Sequence, residues 1–210
     1  AYRVTNVQMA HNAVTVFNNS SGAVFNPFQM GQGAQDYMGL GGDRVGDKIS
    51  VRTMLFKFMV EGSLNRSKVH FRFMLVKSAK GDTITTASLF KGVSGNKMID
   101  QINTERYTII AQRSFNVSPP NTPPSTIATI TGVPTMAAVS GITGNKVFTM
   151  SVPGKKFGKN GNVTYEHGST TQVKFYDYRL VCVAYDWYGT PETNNVGFVN
   201  DGYVKLYFKD

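Results

Sequence analysis

Three observations predict an all-β sandwich. Apolar and polar residues alternate with a period of two along much of the 210-residue chain, a helical period is nearly absent, and Gly and Pro clusters separate the alternating runs. The clearest run lies between Lys68 and Lys77, where Val69, Phe71, Phe73 and Leu75 alternate with His70, Arg72, Met74 and Val76. Near the C-terminus Val204, Leu206 and Phe208 alternate with Tyr203, Lys205 and Tyr207. Both runs read as half-buried strands with one apolar face and one cationic-aromatic face.

The longest run, Ile49 to Val60, changes parity. Ile49, Val51 and Leu55 lie on one face, whereas Phe56, Phe58 and Val60 lie on the other. A β-bulge near Leu55 accounts for the change and leaves Arg52 and Lys57 on the exposed side. Further strands are expected at Ala13 to Asn18, Tyr107 to Val117, Val147 to Val152, Asn162 to Glu166 and Val173 to Asp186, which makes eight in all. Short helical turns are expected at Thr86 to Phe90 and Met98 to Ile102. Before the Ile49 strand, Gly41 to Lys48 forms a glycine-rich turn in which Asp43 and Asp47 bond to local backbone N–H groups.

The chain reads as a single domain over residues 1–210, with 1–12 as an N-terminal arm or its ordered remnant. A domain of this length buries roughly 70% of the surface its unfolded chain exposes and needs no disulfide staples. Three connections are long: Asn19 to Asp47, Ser78 to Arg106 and Ser118 to Asn145. Loops of that length usually carry function or line a contact. The third is almost uncharged between Ser125 and Gly144, which suits packing against another protein. Eight antiparallel strands with such loops describe a jelly-roll sandwich.

Little in the chain suggests catalysis. Cys182 is the only cysteine and sits in the apolar run Leu180 to Ala184, so it reads as a buried structural thiol. His11, His70 and His167 are far apart and lack metal-ligand spacing. No nucleophile elbow, P-loop or dinucleotide fingerprint is present. Glu166-His167 reads as a solvated turn. The chain therefore reads as a non-enzyme with no cofactor and no metal. No run of about 18 apolar residues is present, so no transmembrane helix is expected.

Charge points to the partner. Lys and Arg number 22 against 13 Asp and Glu, a net +9, and a polyanion is the partner class that such a balance favours. The cations are dispersed except at Lys155, Lys156 and Lys159, which flank Phe157.

Two landmarks, Gly42-Asp43-Arg44-Val45-Gly46-Asp47-Lys48-Ile49 and the terminal Tyr203-Val204-Lys205-Leu206-Tyr207-Phe208-Lys209-Asp210, stand with Lys68 to Val76 and Glu105 to Ile110. Together they resemble capsid proteins of small circular single-stranded DNA viruses, the circovirus-like and nanovirus-like group. The resemblance spans Gly42 to Asp210 in element order. It implies a jelly roll that assembles with itself into an icosahedral shell, commonly of 60 copies (T=1), around a single-stranded genome, DNA ahead of RNA. Location in the virion follows, with assembly in the host nucleus or cytoplasm and no membrane partner. The arginine-rich arm usual in that group is not seen here; Arg3 is the only arginine before Arg44.

The resemblance also implies two sheets with strand orders B-I-D-G and C-H-E-F. Counting strands from Ala13 makes Lys68 to Lys77 strand D and the last run strand I, which are neighbours in that order. His70, Arg72, Tyr203, Lys205 and Tyr207 then share the outer face of B-I-D-G, which in the resembled group looks toward the shell interior. With Arg3 they are the expected nucleic-acid contacts, cations for phosphates and rings for bases. Lys155, Lys156 and Lys159 are the expected contact for acidic host glycans. The competing expectation is a jelly-roll carbohydrate-binding module or lectin, which calls for exposed aromatics and amide or carboxylate groups converging in one concave site.

Overall fold

The computed structural model describes residues 2–18, 24–29, 44–63, 68–92, 94–118, 127–130, 133–136, 144–167, 171–187 and 195–209. The strands are β1 (Tyr2–Ala10), β2 (Val14–Val16), β3 (Lys48–Gly62), β4 (Val69–Ala79), β5 (Thr108–Val117), β6 (Ile127–Ile130), β7 (Val133–Met136), β8 (Asn145–Pro153), β9 (Asn162–Thr164), β10 (Tyr176–Asp186) and β11 (Asn195–Lys209). One short helix, α1 (Thr86–Leu89), lies between β4 and β5. The first sheet has the order β1-β11-β3-β8, with β9 also on β3; the second has the order β2-β10-β4-β5. Every named pairing is antiparallel. With β1, β2, β3, β4, β5, β8, β10 and β11 lettered B to I, these are B-I-D-G and C-H-E-F. The all-β jelly-roll expectation holds.

The lettering from sequence was one place early for β2, β3, β4, β5 and β8, and counting β9 as strand G brought β10 and β11 back to H and I. Tyr2–Ala10 is a strand paired along its length with β11, not an arm. Its alternation was disguised by Asn6, which adopts φ 54°. Thr5 pairs with Asp201 and Val7 with Val199, so Asn6 stands opposite Asn200 as a matched irregularity. The inward residues Val4, Val7 and Met9 are therefore spaced by three and then two, which a period-two search does not recognise. Lys68 to Lys77 is consequently strand E, in the second sheet, and not a neighbour of β11.

The bulge in β3 is also displaced. Tyr207 pairs with Thr53 and Phe208 with Val51, so the extra residue is Arg52 rather than one near Leu55. Beyond it Met54, Phe56, Phe58 and Val60 point inward, and Leu55 lies on the outer face with Lys57. Arg52 and Lys57 are both exposed, as the parity argument required. The expected helical turn at Thr86 is α1, closed by a capping box in which Thr85 and Ser88 bond to each other's backbone N–H. Around Met98 there is instead a hydrogen-bonded turn, with Ile99 and Asp100 N–H donating to the Asn96 carbonyl.

The main core fills the space between the sheets. Val51, Met54, Phe56, Phe58 and Val60 of β3 face Val69, Phe71, Phe73 and Leu75 of β4 and Leu180, Cys182 and Ala184 of β10. At its centre Phe73 stacks on Phe148 at 4.5 Å and Phe148 on Phe115 at 5.2 Å, with Phe58 stacked on both Phe73 and Phe148 at just over 6 Å. Each such pair is worth about 0.5–1.5 kcal/mol beyond its buried area. Cys182 is fully buried, as expected, and burial pushes its thiol well up.

A second, smaller core covers the outer face of the second sheet. The runs Phe73-Met74-Leu75-Val76 and Leu180 to Ala184 are apolar on both faces, so their outward residues need a cover. Met74, Val76, Val181 and Val183 receive it from Ile84, Leu89, Phe90 and Tyr107 of the connection between β4 and β5. The first sheet shows a different pattern: the outward side chains of β3 and β11 between Lys57 and Met59, and between Tyr203 and Lys209, are exposed or half-exposed.

Gly202 shows how tightly β11 is seated. A Cβ there would lie 2.1 Å from Phe58 Cδ1 and 2.6 Å from the Lys57 carbonyl oxygen. Gly202→Ala should destabilise the fold by about 1–3 kcal/mol, the usual cost of overpacking a core. Chemical denaturation of the variant measures this, and an unchanged midpoint would contradict the packing described.

Candidate nucleic-acid interface

The outer face of the first sheet is set by the core beneath it. Because Val204, Leu206 and Phe208 turn inward, Tyr203, Lys205, Tyr207 and Lys209 turn outward, about 7 Å apart along β11. Register places the neighbours. Tyr203 lies between Arg3 of β1 and Lys57 of β3; Lys205 is opposite Leu55, Tyr207 opposite Thr53 and Lys209 opposite Ser50. Lys205 Nζ lies 5.0 Å from the centre of the Tyr207 ring. Cations and rings thus alternate both along β11 and across the sheet.

The charges on this face differ in availability. Arg3 makes two bonds to Asp201, Nε to Oδ1 at 3.0 Å and Nη2 to Oδ2 at 2.9 Å. Those bonds raise the Arg3 guanidinium and hold the Asp201 carboxyl below its ordinary value, with the Gly202 N–H adding to the second effect. Glu61, at the same end, accepts from the Asn200 amide. Arg52, Lys57, Lys205 and Lys209 form no ion pair among the described residues. The free positive charge is therefore concentrated toward the Lys209 end.

Of the expected contacts, Arg3, Tyr203, Lys205 and Tyr207 are brought together and His70 and Arg72 are not. Both of the latter are on β4, in the opposite sheet. Arg72 is half-buried, donating from Nη1 to the Met98 carbonyl at 3.2 Å and from Nη2 to Gln112 Oε1 at 3.0 Å. It pins the connection between β4 and β5 to the sheet, and burial lowers its guanidinium from the ordinary value. His70 Nδ1 lies 2.5 Å from Asn116 Oδ1. The sequence reading missed Lys57 and Lys209 as members of the face. Their signal was present, since Lys57 was already placed on the exposed side and Lys209 shares the parity of Lys205.

Lys155, Lys156 and Lys159 are exposed around a buried Phe157, which packs edge-on against Phe28 and Tyr178. Their segment is fastened to β3 beside the bulge: Ser50 Oγ donates to the Asn160 carbonyl at 3.2 Å. A Cβ at Gly154 would sit 1.7 Å from the Val51 carbonyl oxygen, so no side chain fits there. The three lysines thus stand at the sandwich edge near Arg52.

The glycine-rich turn is organised by a residue that the sequence reading passed over. Arg44 is fully buried, 3.9 Å from the Tyr165 ring centre, and donates to the carbonyls of Gly46 and His167. Asp47 Oδ1 is 3.7 Å away, and the Asp47 carbonyl accepts from Tyr165 N–H at 2.7 Å. Asp43, expected to share this role, lies outside the described residues. Glu166 pairs with Lys80, and no group of three or more His, Cys, Asp or Glu able to hold a metal occurs among the described residues.

Arg72→Ala should loosen residues 96–99 and cost about 1–3 kcal/mol, because the Met98 carbonyl loses a charged donor. Hydrogen exchange at Ile99 and Asp100 reads the loosening; unaltered protection there would show that Arg72 does not hold the connection. No protein-family model matches the chain, and no curated protein is significantly similar to it in sequence.

Proposed function

We propose that the chain is a viral coat subunit that assembles with itself into a small icosahedral shell, of 60 copies, around a single-stranded genome, DNA ahead of RNA. Its place is then the virion, with assembly in the host nucleus or cytoplasm. The observation that carries the proposal is the bare outer face of the first sheet. Tyr203, Lys205, Tyr207 and Lys209 run along it beside Lys57 and Arg52, with rings and cations interleaved. Single strands are bound by that combination, phosphates neutralised by cations and bases stacked on rings at about 1–3 kcal/mol each. The second sheet has its apolar outer side closed by its own second core. The jelly-roll order and the +9 net charge support the same reading.

The alternative is a carbohydrate-binding jelly roll. It is favoured by one observation, a concave site at the end of β10 lined by the half-buried Tyr185 and the exposed Trp187.

Lys57→Ala/Lys205→Ala should lower nucleic acid per particle, measured by absorbance ratio and nuclease protection, with the subunit still folded. For a single-stranded oligonucleotide the slope of log affinity against log salt should flatten by about 0.7 for each phosphate contact removed. Arg72→Ala should leave that slope unchanged. An unaltered slope in the double variant would overturn the assignment of this face. A chain that stays monomeric under assembly conditions, examined by negative-stain imaging, would overturn the coat reading.

A further inference from the structure

At the opposite side of the molecule β10 ends in an aromatic corner. Tyr185 is in register with His70, and its ring centre lies 4.8 Å from that of His11. Trp187 follows, its backbone N–H donating to the Lys68 carbonyl at 3.3 Å and its ring edge-on to His70 at 6.3 Å. Trp187 is 56% exposed, and Ile99 across from it is 75% exposed. With Asn96 and Met98 these residues line a cleft of about 260 Å³. That is near the lower end of small-ligand sites, which run from about 300 to 1,000 Å³. Large aromatics left exposed at a concavity generally mark a binding surface.

The polar groups around the cleft point to its ligand. Asn96 Oδ1 accepts from Met98 N–H at 2.8 Å, which leaves the side-chain NH2 to donate. His70 uses Nδ1 toward Asn116, which leaves Nε2 as an acceptor. The Trp187 indole N–H is a donor. Among the described residues no carboxylate lines the cleft, and Lys68 Nζ stands 4.9 Å from the Trp187 ring centre. The other cations near it are engaged: Lys97 pairs with Asp100, and Arg72 is held by Met98 and Gln112. A nucleic acid strand needs a run of cations for successive phosphates. Among the described residues this site offers one, Lys68.

We infer that the cleft binds an acidic saccharide. The apolar face of a sugar ring packs on Trp187, its carboxylate or sulfate pairs with Lys68, and its hydroxyls bond to Asn96 and His70. The lysines at 155, 156 and 159 lack this arrangement, because Phe157, the ring among them, is buried. The inference does not depend on assembly, since every group belongs to one subunit.

Trp187 is the only tryptophan in the chain, so its emission reports on this cleft alone. Titration with sialyllactose and with a sulfated heparin disaccharide should change the emission saturably for at least one of them. Lys68→Ala, which keeps the fluorophore, should weaken binding about fivefold or more. Trp187→Phe, followed by calorimetry, should weaken it too, and Lys205→Ala should leave it intact. No change with either probe would overturn the site. An equal response to neutral lactose would overturn the acidic ligand. A response to a ten-nucleotide thymidine strand but to neither sugar would overturn the saccharide in favour of nucleic acid.

Discussion

The stack of Phe58, Phe73, Phe115 and Phe148 between the two sheets is the constraint on which the remaining structure depends. It draws one ring from each of β3, β4, β5 and β8, two strands from each sheet, and ring centres 4.5–6.2 Å apart leave no slack for a shifted register. A one-residue slip in any of these strands would turn its whole apolar set to water. Once the rings are seated, the parity of each strand is settled on both faces. The outward position of Lys57 therefore follows from the inward position of Phe58, and that of Tyr203 from Gly202, whose missing side chain makes room for the Phe58 ring.

The two sheets then have different outer faces for a compositional reason. β4 and β10 contain apolar runs with no polar alternation, and only a second layer can bury their outward residues. The connection between β4 and β5 supplies it, held by α1, by the Arg106–Asp82 ion pair and by Arg72. β3 and β11 alternate strictly outside their bulges and need no second layer, so cations and tyrosines remain at the surface. Two guanidiniums are tucked beneath covering segments: Arg72 under the connection, and Arg44 under the turn before β3. Arg44 illustrates how a cation is accommodated in a core, with the Tyr165 face on one side and backbone carbonyls at its edge.

Function divides along the same line. The proposed nucleic-acid face runs across β1, β11 and β3 with cations and rings repeated along it, which suits a flexible strand bound without sequence preference. The proposed saccharide cleft is small and, among the described residues, carries a single available ammonium, which suits a compact ligand. His70 moved from the first to the second, although its residue type and strand parity were read correctly. What changed was the sheet to which its strand belongs.

By itself the sequence determined the all-β class, seven of the strands nearly in place, the buried thiol, and the parity of Tyr203, Lys205 and Tyr207. These are local properties, because side chains alternate with a period of two whatever the strand pairs with. Tertiary structure alone decided which strands are neighbours. β1 pairs with β11 across nearly the whole chain, as in the Arg3–Asp201 ion pair, and no local pattern encodes a partner at that separation. A single left-handed Asn6 was enough to hide the first strand of the sandwich. Without it β2, β3, β4, β5 and β8 were each assigned one place early, until β9, counted as a strand of the series, restored the order, and two residues of the far sheet, His70 and Arg72, were counted on the basic face.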